Sequence, residues 1–390
     1  MITAIINKQA SRALKNHFCW VYKNEIVSIE PCEDGKIIQI LDEKENFLGL
    51  GYYNSKSTIA LRVLSFKTEE INQDFFIERF QKALNARKPL EKVSNAYRII
   101  HSEADFLPGL IVDWYNGYGS IQINTLGMEK FRDHILKAFI SVCNPLGIIE
   151  KSDVKVRAKE GITTNNGVIY KSVPDEIIIT ENSIQFTVNL HEGQKTGFYL
   201  DQRLNRFRTS KYIEPNMNVL DVFCNAGGFG LYALQKGATV KFVDVSDHAL
   251  TQVASNIALN HFQPSEIVKQ DAFDFLTLER TTKKRYDCVL LDPPPFAKTK
   301  KEAEGAIKGF KFLFSAGLSL TNENGIIALF SCSHHINLDS LLQIAQETSS
   351  KAGIVLEVLE TLHADKDHPY ILNIPNSAYL SGIVVRKKII

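Results

Sequence analysis

The chain has 390 residues, 44% of them hydrophobic and 23% charged, with 45 basic and 44 acidic side chains and a net charge of +1. At roughly 150 residues per domain, this length predicts two or three domains, each able to bury its own core. The charge balance excludes a chain that is basic throughout, but leaves room for a local basic face. Local clusters exist at Arg203, Arg206, Arg208 and Lys211, at Lys283, Lys284 and Arg285, and at Lys298, Lys300 and Lys301. Solvated helix faces and loops are the simplest reading of each. The cysteines, Cys19, Cys32, Cys143, Cys224, Cys288 and Cys332, form no Cys-x-x-Cys pair and no zinc spacing with histidine. No metal site is expected, and mostly buried thiols in a reducing compartment are. The first residues carry no basic segment followed by an apolar core, and no uncharged run reaches the ~18 residues of a membrane span. A cytoplasmic protein without membrane contact is expected.

In chain order, residues 1–66 read as a small β-rich module, with strands at Ile37–Leu41 and Ile59–Val63 and turns at Glu33-Asp-Gly-Lys36 and Tyr53-Asn-Ser55. Residues 67–190 read as a mixed α+β block. Ile71–Arg87 has helical periodicity and stops at Pro89. Strands follow at Ala96–Ile100, Gly109–Trp114 and Ser120–Asn124, a helix at Met128–Val142, a strand at Ile148–Glu150, and a hairpin of Glu176–Thr180 and Ile184–Leu190. From residue 191 to 390 the pattern becomes a strict βα alternation. Strands are predicted at Asn218–Phe223, Thr239–Val245, Glu266–Lys269, Tyr286–Leu291 and Gly325–Ser331, each followed by a helix, with two final strands near Val355–Thr361 and Tyr379–Val385. Repeated βα units demand right-handed crossovers and a mainly parallel sheet.

Chemistry-bearing residues recur where these last strands end. The turn Asp221-Val-Phe-Cys-Asn-Ala-Gly-Gly-Phe-Gly230 follows the first. Gly227 and Gly228 are expected to supply positive φ and close backbone approach, and the following helix N-terminus free N–H groups. Alone, such a turn also suits NAD, FAD or tight packing. Asp244 ends the next strand, where a carboxylate can accept both hydroxyls of an adenosine ribose, in NAD and S-adenosylmethionine alike. Asp271 follows the third, either meeting an adenine amino group or capping a helix. Asp221 itself favours a cationic ligand: a carboxylate attracts an ammonium or sulfonium and repels a pyrophosphate.

Asp292-Pro-Pro-Pro-Phe296 closes the fourth strand. Prolines cannot continue a ladder, so they fix an extended loop and aim the Asp292 carboxylate, as a contact to a flat base or as a plain strand-end cap. Ser331-Cys332-Ser333 closes the fifth. Cys332 is either a buried thiol or a nucleophile, with His334 and His335 adjacent in sequence. A thiol has a specific use in methyl transfer: its addition to carbon 6 of a cytosine makes carbon 5 enamine-like and able to attack a methyl donor. Methylation of an exocyclic nitrogen needs no thiol and pairs the acid with proline, proline and an aromatic. Here Pro295 holds the fourth position and Phe296 is displaced by one.

These motifs, with Phe18-Cys-Trp20, Arg98-Ile-Ile-His-Ser-Glu-Ala-Asp-Phe-Leu-Pro-Gly109, Lys151-Ser-Asp-Val-Lys-Val-Arg157, Glu192-Gly-Gln-Lys-Thr-Gly-Phe-Tyr-Leu-Asp-Gln-Arg203 and Asp367-His-Pro369, resemble the class I S-adenosylmethionine-dependent 23S ribosomal RNA cytosine-C5 methyltransferases with an N-terminal PUA domain. The resemblance implies an α/β protein: a Rossmann-like methyltransferase domain over 191–390, preceded by a PUA-like β domain over 1–66 and a central α+β domain over 67–190. It implies S-adenosyl-L-methionine held at Gln202, Asp221, Phe223, Asn225, Gly227, Gly228, Asp244, Asp271 and Asp292, with Cys332 and Asp292 as the catalytic residues. It also implies 23S ribosomal RNA as partner, and a homodimer. Asp367 and His368 are candidates for the proton-removing base. Three alternatives stay open: a methyltransferase for another RNA base or a small molecule without a thiol nucleophile, a non-catalytic RNA-binding protein, and an NAD-dependent oxidoreductase.

Overall fold

The computed structural model describes residues 1–192, 197–296, 302–333 and 335–388. Two compact units emerge: Met1–Ile179 with Val188–Leu200 and Lys366–Ser377, and Thr180–Thr187 with Asp201–Asp365 and Ala378–Ile390.

The first unit begins with β1 (Thr3–Ile6), α1 (Lys8–Lys15), β2 (Trp20–Tyr22), β3 (Ile26–Ile29), β4 (Ile37–Leu41), β5 (Phe47–Tyr53) and β6 (Ile59–Ser65). They form a six-stranded sheet in the order β2-β6-β5-β4-β1-β3. Alternation in β4 sends Ile38 and Ile40 into a core shared with Ala4, Ile6, Val21, Leu61 and Val63. The sequence reading missed α1. The helix is short, and only Ala10, Ser11 and Leu14 are buried, too few to reveal a period.

The unit continues through α2 (Gln73–Arg87), β7 (Ala96–His101), β8 (Leu110–Tyr115), β9 (Tyr118–Ile123), α3 (Leu126–Lys130), α4 (Arg132–Cys143), β10 (Gly147–Glu150), α5 (Val154–Lys159) and β11 (Gly167–Lys171). A second sheet runs β11-β10-β9-β8-β7. Asn72 caps α2, accepting from the Phe75 amide, and sets its start two residues later than the periodicity suggested. The single helix expected at 128–142 is two helices, broken at Phe131. The segments α5 and β11 were not anticipated.

The hairpin of β12 (Ile177–Glu181) and β13 (Ile184–Val188) turns through Asn182 and Ser183, both with positive φ. Its tip, Thr180–Thr187, belongs to the second unit. That unit adds α6 (Arg203–Ser210), β14 (Asn218–Val222), α7 (Gly228–Gln235), β15 (Thr239–Asp244), α8 (Asp247–Leu259), β16 (Glu266–Lys269), α9 (Ala272–Glu279), β17 (Tyr286–Leu291), α10 (Ala303–Leu320), β18 (Thr321–Ser331), α11 (Leu338–Lys351), β19 (Val355–His363) and β20 (Ser381–Lys388). The seven strands lie in the order β16-β15-β14-β17-β18-β20-β19. The first five are parallel, and β20 runs antiparallel to both its neighbours. This is the α/β, Rossmann-like architecture expected. Strand order reverses direction at β14, the switch point where open α/β sheets leave a crevice beyond their carboxyl ends. Val222, Val289, Leu291, Leu313, Phe314, Ile327 and Leu329 fill the core of this unit. Among the described residues no helix is long and apolar enough to cross a membrane.

Candidate active site

Strand register gathers the acids. Val243, Val222, Leu291 and Leu329 form one row across β15, β14, β17 and β18. Asp244 and Asp292 each stand one residue beyond that row, Asp221 one residue before it, and Phe223 between the first two. Asp244 pairs with Lys269 on β16, so Asp271 lies two residues farther along that strand's path. The carboxyl edge of the sheet is therefore lined with carboxylates.

Asp221 is 1% exposed, and its Oδ2 accepts the Gly230 amide at 2.8 Å. Burial pushes its carboxyl up to about 8; the Gly230 hydrogen bond opposes this, while Asp292 and Asp244 add to it. A positive group at this spot would relieve both the desolvation and the repulsion.

The turn between Asp221 and Gly230 is built by backbone that few residues adopt. Phe223 and Asn225 have φ of 62° and 49°. Bulky residues rarely occupy this region, and such strain concentrates at functional sites. Asp244 holds the turn: Oδ2 accepts the Asn225 amide at 3.0 Å and Oδ1 the Ser246 amide at 2.9 Å. Gly227 has φ 80°, and a Cβ there would meet Leu231 Cδ1 at 2.5 Å. The expectation for Gly228 is corrected. Its φ is not left-handed, and its lack of a side chain instead makes room for Arg206, whose Cδ lies 3.0 Å from where a Cβ would be.

Asp271 is exposed and caps α9, with Oδ1 accepting from the amides of Phe273 and Asp274 at 2.8 and 3.2 Å. The capping alternative thus holds for one of its oxygens. Asp292 Oδ1 accepts from Gln202 Nε2 at 3.1 Å. Phe296 turns into a cluster with Phe223, Phe273 and Phe310, at centroid distances of 6.5, 5.8 and 5.4 Å. Its ring is engaged in this packing.

Cys332 is half-buried, immediately after β18. It stands two residues farther past the row than Asp292, in the loop that follows the neighbouring parallel strand. Its flanks are buried serines that shape the loop: the Ser333 amide reaches Ser331 Oγ at 3.4 Å, and the His335 amide reaches Ser333 Oγ at 3.3 Å. Cys224 and Cys288 are buried, with thiols pushed up chiefly by desolvation, as packing residues are. Gln194, Lys195 and Thr196, the lysines at 298, 300 and 301, and His334 lie outside the described residues.

Two expectations change. In the cluster Arg203, Arg206, Arg208 and Lys211, the first two leave the solvated face, while Lys211 is exposed and Arg208 partly so. Arg203 and Arg206 are buried, donating to Asp365 at 2.7 Å and to Glu181 at 2.7 and 2.6 Å, and Arg208 pairs with Glu360. Asp367 is wholly buried in the first unit, where its Oδ2 accepts the Arg98 amide at 2.9 Å and its Oδ1 faces His368 Nδ1 at 3.0 Å. Both oxygens thus have structural partners.

Sequence reasoning missed what supports the site. Glu181 also accepts from the Tyr232 hydroxyl at 2.9 Å, joining the hairpin tip, α6 and α7. Asp201 Oδ2 accepts from the Tyr379 hydroxyl at 2.7 Å, and the Asp365 amide reaches Asp201 O. Nothing in local composition signals that this arginine-rich helix is an interior element. The one cue was its continuity with the Asp201-Gln-Arg203 motif.

Residues 4–66 match the PUA-like domain family, and residues 203–352 match the family described as conserved hypothetical protein 95. The ribosomal RNA large subunit methyltransferase I of Tolumonas auensis is 37% identical over 393 residues, covering 98% of this chain and 99% of the relative. The chain belongs to the ribosomal RNA large subunit methyltransferase I family. The Aeromonas hydrophila member is 36% identical, with 98% of each chain covered. Among solved structures, SMU.776, crystallised in complex with SAH, superposes with a TM-score of 0.86 at 23% identity, covering 99% of this chain and 100% of that one. At that identity the likeness speaks for the fold, and it extends over the whole chain.

Proposed function

We propose that this chain is an S-adenosyl-L-methionine-dependent methyltransferase of ribosomal RNA, and that its target is carbon 5 of a cytosine in 23S ribosomal RNA. Membership of the large subunit methyltransferase I family supports the enzyme class and the RNA. The single observation behind the finer reading is that Cys332 and Asp292 follow adjacent parallel strands on the carboxylate-lined edge that carries Asp221 and Asp244.

The residues suit the donor. Asp221, buried beside two other carboxylates, favours a cation, and Asp244 lies where a ribose would be met. Gln202, Phe223, Asn225, Gly227, Gly228, Asp271 and Asp292 complete the proposed surround. When bound, S-adenosylmethionine supplies an electrophilic methyl group. The Cys332 thiolate adds to carbon 6 of the cytosine and raises electron density at carbon 5. Asp292, its direction preset by Pro293 and Pro294, accepts from the base amino group and holds the ring against the thiol. After methyl transfer a base removes the carbon-5 proton and the thiolate departs. Phe296, engaged in its aromatic cluster, supports carbon rather than nitrogen as the acceptor.

Each of the segments 1–66, 67–190 and 191–390 contains a sheet of its own, which supports three domains: PUA-like, central and catalytic. The same reading has the enzyme cytoplasmic and homodimeric; sedimentation of the purified chain tests the dimer. Mass mapping of nucleosides in 23S ribosomal RNA, with and without the gene, tests the activity. Loss of one 5-methylcytidine is expected, and loss of a different modified base would transfer the reading to an enzyme without the thiol step.

A further inference from the structure

A carboxylate keeps a preset direction only if its donor is itself held. Gln202 donates Nε2 to Asp292 Oδ1 at 3.1 Å. The two ends of a primary amide differ in polarity but hardly in size, so a neighbour must select which end faces the carboxylate. That neighbour is Asn205, whose Nδ2 donates to Gln202 Oε1 at 2.7 Å. An ionised Asp292 only accepts, so Gln202 must present its nitrogen to it and its oxygen to Asn205, and Asn205 must answer with a nitrogen. The reversed relay would set oxygen against carboxylate.

A second observation agrees. Asn205 is 0% exposed, and its Oδ1 finds no hydrogen-bond partner among the described residues. An orphaned buried acceptor is costly, and the cost follows from an orientation imposed by the Nδ2 contact. The relay also rests on a fixed element. Gln202 is the N-cap residue of α6, and Asn205 lies three residues on, in its first turn. The same helix is anchored through Arg203 to Asp365 and through Arg206 to Glu181.

We propose that Asn205 is a positioning residue for Asp292, acting through the amide of Gln202; this rests on the reading of Asp292 as a group that contacts donor or base. Asn205→Leu is similar in size but offers no donor to Gln202 Oε1, so it leaves the Gln202 amide free to turn its nitrogen away from Asp292. Asn205→Ala lets the amide rotate, and Gln202→Leu removes the relay.

The first arm of the test is methyl transfer to transcribed 23S ribosomal RNA at saturating donor. Each variant should lower kcat about tenfold, the scale of one hydrogen bond to a charged group, with KM for RNA little changed. Asn205→Ala should add nothing to Gln202→Leu. Independent, multiplying losses would overturn the proposal, as would wild-type kcat in Asn205→Leu. The second arm needs no substrate. The Asp292 carboxyl resonance of 13C-aspartate-labelled chain, identified by its absence in Asp292→Asn, is followed against pH. In the Asn205 variants Asp292 should take up its proton at higher pH than in the wild type, because a donor to the ionised form has been lost. An unmoved titration would overturn the relay. A wild-type chain that methylates no RNA would remove the proposed function, and the second arm would still judge Asn205. Should Asn205→Ala fail to fold, Asn205→Leu, which adds no charge near Asp292, carries both arms.

Discussion

Asp221, near the end of β14, accepts the amide of Gly230 in the first turn of α7 at 2.8 Å. One carboxylate thus ties a strand to the helix that follows it and closes the loop that faces the crevice. The contact is available only to glycine: a Cβ at residue 230 would lie 2.1 Å from Phe242 Cε1 and 2.9 Å from Asp221 Oδ2. Gly230→Ala should therefore destabilise the chain by about 1–3 kcal/mol, the scale of overpacking, and weaken S-adenosylhomocysteine binding. Thermal unfolding and calorimetry check both; an unchanged melting temperature would show that the turn relaxes freely.

The raised carboxyl of Asp221 sets a pH dependence. Its pKa is about 8 in the folded chain, against about 4 unfolded. Between those values the folded state holds a proton that the unfolded state has released, so this group's contribution to stability is full below about pH 4 and falls as pH rises toward 8. Denaturant titrations from pH 5 to pH 8 should show this decline, and Asp221→Asn should flatten it. A cationic donor should expel the same proton. Calorimetry in buffers of different ionisation heat should thus register proton release on S-adenosylmethionine binding, and lose it in Asp221→Asn.

Cys332→Ala should abolish methyl transfer while leaving S-adenosylhomocysteine affinity within about twofold, because the proposed role of the thiol is toward the base alone. Retained turnover would remove the covalent step.

Asp244→Ala should weaken donor binding by about 1–3 kcal/mol, the scale of a buried acceptor lost to its partner. Asp244 also holds the Asn225 and Ser246 amides, so part of the loss should come from a loosened turn. Asp244→Asn, which keeps one accepting oxygen, should fall between the wild type and Asp244→Ala in titration calorimetry.

Arg206 and Glu181 form a buried bidentate pair. Arg206→Leu leaves a buried carboxylate with, among the described residues, the Tyr232 hydroxyl as its remaining side-chain donor, and should cost about 3–5 kcal/mol. The double replacement by apolar residues should recover much of that. Equal losses in single and double variants, measured by urea unfolding, would count against the pair as the source.

Residues 191–390 were legible because their physics is local. Alternating apolar runs and helical periods fixed the βα order, and Asp221, Asp244, Asp271 and Asp292 fell at strand ends, where parallel sheets open their crevice. Short helices outside that alternation, such as α1 and α5, with few buried apolar residues, left no such trace. By itself, the chain's order of apolar runs, glycines and prolines determined an α/β sheet, its carboxylate-lined edge and the position of Cys332 just past a strand. Only the tertiary structure decided which charges are interior. It turned Arg206 and Arg203 of α6 inward to Glu181 and Asp365, gave Gly228 its reason in Arg206, and linked Asn205 and Gln202 to Asp292. Burial and partner choice across 25 to 162 residues of sequence separation depend on three-dimensional packing, which no local pattern encodes.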